Sequence, residues 1–80
     1  MSTRQVAHGH IHAYRGRALT GREVTVLQLA ADGLANAEIG GQLGLSALTV
    51  KSHLVRIGAK LGTGNRTHMV ALALRRGTIA

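Results

Sequence analysis

Leu48, Lys51, Ser52 and Val55 are spaced so that a helix would carry them on one face. At about 100 degrees per residue they cluster together, with Ala59 further along the same side. This face offers an ammonium group, a hydroxyl and aliphatic carbon, and it has no acid. Those groups suit the edges of base pairs in a major groove. Lysine donates to guanine O6 or N7, a hydroxyl serves either polarity, and apolar carbon packs on thymine methyls. Thr49, Arg56 and Lys60 flank the face, where hydroxyls and cations would meet phosphates. The competing reading is an amphipathic helix whose basic side is merely solvated.

Other chemistry finds little support. The acids are Glu23, Asp32 and Glu38, and nothing pairs them with a histidine and Ser46 or Ser52 in a nucleophilic triad. Three acids and one aromatic residue, Tyr14, also make a substrate pocket hard to build. The chain is therefore not expected to be an enzyme. A single-strand binder would want several stacking rings, so that reading fails too. The sequence has no cysteine, which excludes disulfides and thiolate zinc sites. His8, His10 and His12 alternate and would share a face in a strand, but without further ligands a solvated basic tail explains them better than a metal site. No metal or cofactor is expected. His53 borders the apolar side of its helix and has two readings, a half-buried packing residue or a pH-dependent phosphate contact.

The elements that must position these residues are helices. Val50, Leu54, Ile57 and Leu61 fall within about 60 degrees of one another, a core stripe opposite Leu48 and Lys51. Ser46 caps this helix, predicted over 47–61, and Gly62 ends it. Before it, Asn36 to Leu43 reads as a short helix with Ile39 and Leu43 inward and Leu43-Gly44-Leu45 as the turn. Gly40 and Gly41 each cost about 0.5–1 kcal/mol in a helix interior. A close helix approach would explain Gly40, and nothing in the sequence explains Gly41. The first helix begins at Thr20, where Thr20-Gly21-Arg22-Glu23 has capping-box spacing. Leu27, Ala30, Ala31 and Leu34 recur along it, and Gly33 stops it. Asn65 caps a fourth helix, Arg66 to Arg76, closed by Gly77. Val70, Ala73 and Leu74 form its inner stripe, while Met69 and Leu72 extend apolar character beyond what one small core requires. No strand pattern or repeat is present.

Eighty residues make one small domain. Residues 1–18 form a basic arm, expected to be mobile, and 19–80 the domain. The formal charge is +7, from ten Lys plus Arg and three acids. The arm holds Arg4, Arg15 and Arg17 with no acid, hence +3, and the domain holds seven cations and three acids, hence +4. Such a balance points to nucleic acid or an anionic surface, and an arm of this type can also enter a minor groove. No apolar run reaches the roughly 20 residues of a membrane span, and no signal-peptide core is present, so a cytoplasmic protein is expected.

A short helix, a glycine turn and a longer helix with an acid-free outer face describe a helix–turn–helix. The residues Leu19-Thr20-Gly21-Arg22-Glu23, Ala31-Asp32-Gly33-Leu34, Asn36-Ala37-Glu38-Ile39, Leu45-Ser46, Thr49-Val50-Lys51-Ser52-His53, Ala59-Lys60-Leu61-Gly62 and Asn65-Arg66-Thr67 resemble, in order, the DNA-binding domain of LuxR-type regulators, which include the output domains of NarL/FixJ-type response regulators. The resemblance covers Leu19 to Ile79. It implies an all-α, four-helix LuxR-type helix–turn–helix domain, with the helix at 47–61 in the major groove of double-stranded DNA. It implies base readers at Leu48, Lys51, Ser52 and Val55, and phosphate contacts at Asn36, Thr49, Arg56, Lys60, Arg66 and Thr67. The fourth helix, about 66–76, would form a homodimer contact through Met69 and Leu72. No small-molecule ligand and no membrane are implied. The chain departs from the family at Ala35, where Ser or Thr usually caps the second helix, at Ala37, and at Gly40, where Ala is usual. Leu48 and Val55 replace readers that are often polar.

No receiver or ligand-sensing segment is expected before Leu19, which fits either a free-standing regulator or an isolated output domain. The leading expectation is a sequence-specific transcriptional regulator acting as a dimer. A sigma-factor-type promoter-recognition domain shares the Glu-Ile, Leu-Ser and Thr-Val-Lys pattern, but Lys60-Leu61-Gly62, Asn65-Arg66-Thr67 and a full fourth helix favour the LuxR type. A protein-interaction module, pairing through the fourth helix without reading DNA, is the alternative from another class.

Overall fold

The structure is a computed structural model and describes residues 16–80. Helices α1 (Gly21–Ala31), α2 (Asn36–Leu43), α3 (Ala47–Leu61) and α4 (Arg66–Arg75) follow one another, with no strand among the described residues. The His8, His10, His12 and minor-groove-arm readings fall on residues outside the described part.

Each helix starts where a side chain or a neighbouring carboxylate can hold an otherwise orphaned amide. The Thr20 hydroxyl accepts from the Glu23 amide at 3.2 Å and Glu23 Oε1 accepts from the Thr20 amide at 2.8 Å, so the predicted capping box is complete. Ser46 Oγ accepts from the Thr49 amide at 3.0 Å, and Asn65 Oδ1 from the His68 amide at 2.9 Å. Ala35 offers α2 no side-chain oxygen. Glu38 supplies half of the missing cap, its Oε1 accepting from the Ala35 amide at 2.8 Å.

Helix α3 packs against all three others, whereas α2 and α4 do not pack on each other. The core is built from Val26, Leu27 and Ala30 of α1, Ile39 of α2, Val50, Leu54 and Ile57 of α3, and Met69 and Ala73 of α4. Leu27, Ile39, Ile57, Val26 and Val50 are fully buried, each contributing about 1.5–3 kcal/mol through removal from water. Val50, Leu54 and Ile57 are the predicted stripe, and Leu61 closes it half-buried. After α4 the chain turns at Gly77 and tucks Ile79 into the core. The Gln28 side chain then clasps the Ala80 backbone, accepting from its amide at 3.0 Å and donating to its carbonyl at 2.8 Å. The sequence gives no sign of this clasp.

On α4 the prediction of which residues face inward requires correction. Met69 and Ala73 are buried and Val70 packs half-buried against the core, so Met69 joins the predicted inner stripe and Leu74, which is exposed, leaves it. The cause lies on α3, where Gly58 has no side chain and the Met69 methyl occupies the space: a Cβ at Gly58 would stand 2.8 Å from Met69 Cε. The helix turns to place Met69 there, and Leu74 rotates out with it.

The turn between α2 and α3 accounts for one of the two mid-helix glycines. Gly44 takes φ +70° and lets the Leu45 amide donate to the Gly40 carbonyl at 2.8 Å. The Leu45–Ser46 backbone consequently lies against Gly40, where a Cβ would collide with the Leu45 carbonyl oxygen and stand 3.3 Å from Ser46 C. A Cβ at Gly41 would meet nothing, and nothing in the structure explains that glycine. Gly41→Ala should therefore raise stability by about 0.5–1 kcal/mol, while Gly40→Ala should lower it; urea unfolding of the two variants beside the parent chain gives both signs.

Candidate nucleic-acid interface

The outward face of α3 is built from its N-terminus. The Ser46 hydroxyl accepts from the Thr49 amide and donates to Thr49 Oγ1 at 2.9 Å, so the Thr49 hydroxyl proton points away from the helix end. No acid occupies the first turn of α3, and the unbalanced positive end of its dipole favours an anion there. Beyond it lie Leu48, Lys51, Ser52 and Val55, all exposed. Leu48 is 72% and Val55 65% exposed, unusual for aliphatic side chains on a helix that otherwise forms the centre of the core. Ser52 Oγ donates to the Leu48 carbonyl at 3.2 Å, so it turns acceptor lone pairs outward and leaves Lys51 as the donor among the four. The structure thus brings the four predicted readers together. Thr49, Arg56 and Thr67 are also exposed.

Lys60 is different. Its side chain is 8% exposed and its ammonium lies 2.6 Å from Glu23 Oε1, with a second donation to the Ala18 carbonyl at 3.3 Å. The expected phosphate role is withdrawn: Lys60 is a core residue. It sits three residues after Ile57 and one before Leu61, so its stem is carried between core positions and its head reaches α1. The Lys60 carbonyl also accepts from the Gly16 amide at 2.9 Å, which joins residues 16–18, assigned to the arm by sequence, to the end of α3.

Asn36 and Arg66 are half-buried and engage each other. Arg66 donates to Asn36 Oδ1 and to the Leu34 carbonyl, both at 2.6 Å. This guanidinium is the bridge between α2 and α4, whose backbones do not pack together. With Oδ1 held by Arg66, the Asn36 amide donors are turned to the other side. Met69, expected at a dimer contact, is buried, and its place on the outer face of α4 passes to Leu74, 47% exposed, beside the half-buried Val70 and Ala71. Leu72 lies about 160 degrees around the helix from Leu74 and is half-buried. His53 is half-buried next to the α3 core stripe.

The three acids are all engaged within the domain. Glu23 holds Lys60, Glu38 caps α2, and Asp32 accepts from Gln28 at 3.2 Å. Burial pushes the Glu23 carboxyl up, but the hydrogen bond from Lys60, the Thr20 amide and the charge of Lys60 outweigh it and hold the group below its ordinary value. Among the described residues no group of His, Asp and Glu could hold a metal ion, and no helix is long and apolar enough to cross a membrane.

A short helix, a glycine turn and a second helix that is wedged into the core on one side and bare of acids on the other define a helix–turn–helix regulatory domain. Comparison with known proteins identifies which kind. The family described as "Bacterial regulatory proteins, luxR family" (GerE) matches residues 17–73, and the chain belongs to it. The transcriptional regulatory protein YdfI of Bacillus subtilis is 44% identical over 61 residues, covering 76% of this chain and 29% of YdfI. The transcriptional activator protein BjaR1 of Bradyrhizobium diazoefficiens is 42% identical over 66 residues, covering 82% of this chain and 27% of its own length. The solved structure of the transcription factor GerE superposes with a TM-score of 0.75 at 34% identity, covering 80% of this chain and 97% of that one. The chain thus spans under a third of the full-length regulators YdfI and BjaR1 and nearly all of GerE. Its family is one of regulators, not enzymes, and the sigma-factor alternative gives way to it.

The buried pair makes a pH-dependent contribution with a definite sign. A carboxyl whose folded-state pKa is depressed stabilises the fold fully above its unfolded pKa, and that contribution is lost as pH falls through the folded value. Glu23→Gln, which leaves Lys60 buried without its counter-charge, should cost about 3–5 kcal/mol at neutral pH. The gap between variant and parent should narrow only below the ordinary carboxylate range. Urea unfolding of both chains across an acid pH series measures it.

Proposed function

We propose that this domain is a sequence-specific reader of double-stranded DNA in a cytoplasmic transcriptional regulator, with α3 lying in the major groove. The observation that carries the reading is the outward face of α3. Leu48 and Val55 are more exposed than any other large hydrophobics of the described residues, and they flank Lys51 on a helix that carries no acid. A solvated face gains nothing from such aliphatic groups, whereas a groove lined with base edges and methyls does. Lys51 donates to a guanine, Ser52 accepts from a base amine, and Thr49, Arg56 and Thr67 hold phosphates. Asn36 joins them through its amide donors, and Arg66 orients it instead of meeting phosphate itself. The curated relatives support the reading, since their names describe transcriptional regulators.

Two domains then meet through the outward face of α4, centred on Leu74 with Ala71 beside it, as a homodimer on DNA. The apolar character of this face supports the pairing, because it is left over when Met69 and Ala73 supply the core. Neither a small-molecule ligand nor a membrane partner enters this reading.

Selection of bound sequences from a random duplex pool, followed by titration at several salt concentrations, tests the function. An enriched inverted repeat and an affinity that falls steeply with salt are expected. Little binding even at low salt would instead favour an interaction module that pairs through α4. Lys51→Ala should cost about 1–3 kcal/mol at one base position and less elsewhere, whereas Arg56→Gln should weaken all sequences alike and reduce the log–log salt slope by about 1. Leu74→Glu should leave the fold intact and reduce the occupancy of paired half-sites to that of single ones, as measured by the stoichiometry of the bound complex.

A further inference from the structure

A groove-facing α3 also constrains the chemistry of the DNA sequence it selects, an inference that rests on the proposed function. Leu48 and Val55 stand seven residues apart, so they point in nearly the same direction and their side chains are separated by about 10 Å along the axis. Successive base pairs rise about 3.4 Å along the duplex axis, so for a helix inclined in the groove this separation spans about two to three base-pair steps. The two residues between them on this face are polar in complementary ways. Lys51 has donors only, and Ser52 gives its proton to the Leu48 carbonyl and shows lone pairs outward.

We propose that Leu48 and Val55 are specificity-determining residues that read two thymine methyl groups about two to three base pairs apart, with Lys51 and Ser52 reading a guanine and an amine-bearing base between them. The C5-methyl of thymine is the one apolar group that a base pair presents in the major groove. A leucine 72% exposed and a valine 65% exposed therefore have one type of partner there that repays covering them. Polar partners would be left unsatisfied against these side chains, a cost that rejects other bases. The helix carries no acid and places Lys51 on the same face, which suits this surface to a polyanion better than to a basic protein partner.

The test removes the methyl group alone. The duplex recovered by selection is resynthesised with deoxyuridine in place of each thymine in turn and titrated against the full chain. Two positions per half-site, about two to three base pairs apart, should each lose about fourfold in affinity, the equivalent of one buried carbon at roughly 0.8 kcal/mol. Leu48→Ala should abolish the uridine effect at one of these positions and Val55→Ala at the other. Both residues are on the surface, so the variants are expected to fold, and helical circular dichroism checks this. Indifference to every uridine substitution would overturn the inference while leaving the DNA-reading function in place. So would Ala variants that weaken thymine and uridine duplexes equally, which would make the side chains mere space-fillers. Unchanged DNA binding by both variants would likewise overturn it and turn attention to a protein partner for this patch. Failure to bind any duplex would overturn the proposed function itself.

Discussion

Glu23 and Lys60 meet where three parts of the chain converge, and the position of α3 depends on that meeting. A single carboxylate oxygen caps the start of α1 through the Thr20 amide and receives the ammonium from the last turn of α3. The same lysine donates to the Ala18 carbonyl, and its own carbonyl receives the Gly16 amide. A helix start, a helix end and the segment entering the domain are thereby fastened at one point. Burying one of these charges alone would be severely unfavourable, and burying both is tolerable because their hydrogen bonds are shared. The pair also removes one anion and one cation from the surface. Of the cations that remain exposed among the described residues, Lys51 and Arg56 lie on α3 and Arg17, Arg22, Arg75 and Arg76 lie elsewhere.

Much of this is legible in the sequence. Thr20, Ser46 and Asn65 announce three helix starts because a cap needs a specific oxygen at a specific offset. Val50, Leu54 and Ile57 announce the buried side of α3 because a periodic stripe leaves few alternatives. The features that escape sequence reasoning involve partners that local pattern cannot supply. Lys60 looks like a flanking cation until Glu23, 37 residues earlier, is brought against it. Arg66 looks like a phosphate ligand until Asn36 and Leu34 are placed within reach of its guanidinium. The inner face of α4 is misread because the sequence places apolar residues all around that helix, and the choice among them is made by an absent side chain at Gly58. The Gln28 clasp on Ala80 has no sequence signal, since a glutamine can bond any backbone.

The polar contacts of the domain divide into those that hold it together and those that are left to face outward. Glu23, Lys60 and Arg66 are drawn into buried or half-buried contacts, while Glu38 and Asp32 bond within the domain from exposed positions. The groups exposed around the two bare aliphatic groups of α3 are Thr49, Lys51, Ser52 and Arg56, and Arg17, Arg22, Arg75 and Arg76 are exposed elsewhere on the domain. An 80-residue chain has little interior to spare, and internal use of charged side chains supplements a core with no aromatic residue among the described positions.

Gly58 carries a consequence for geometry at a larger scale. A Cβ there would collide with the Thr63 carbonyl of the connecting turn and press on the Met69 methyl, the side chain through which α4 meets α3 at this point. The Thr63 carbonyl is backbone and cannot be moved aside by a change of rotamer, so the turn from α3 into α4 is closely held. In the proposed two-fold assembly on α4, the α3–α4 distance would act as a lever arm between the symmetry axis and α3. The number of base pairs separating two half-sites would then be a dimension written into the protein by one missing methyl group. A chain with a bulkier residue at that place would have to match a different interval along the same double helix.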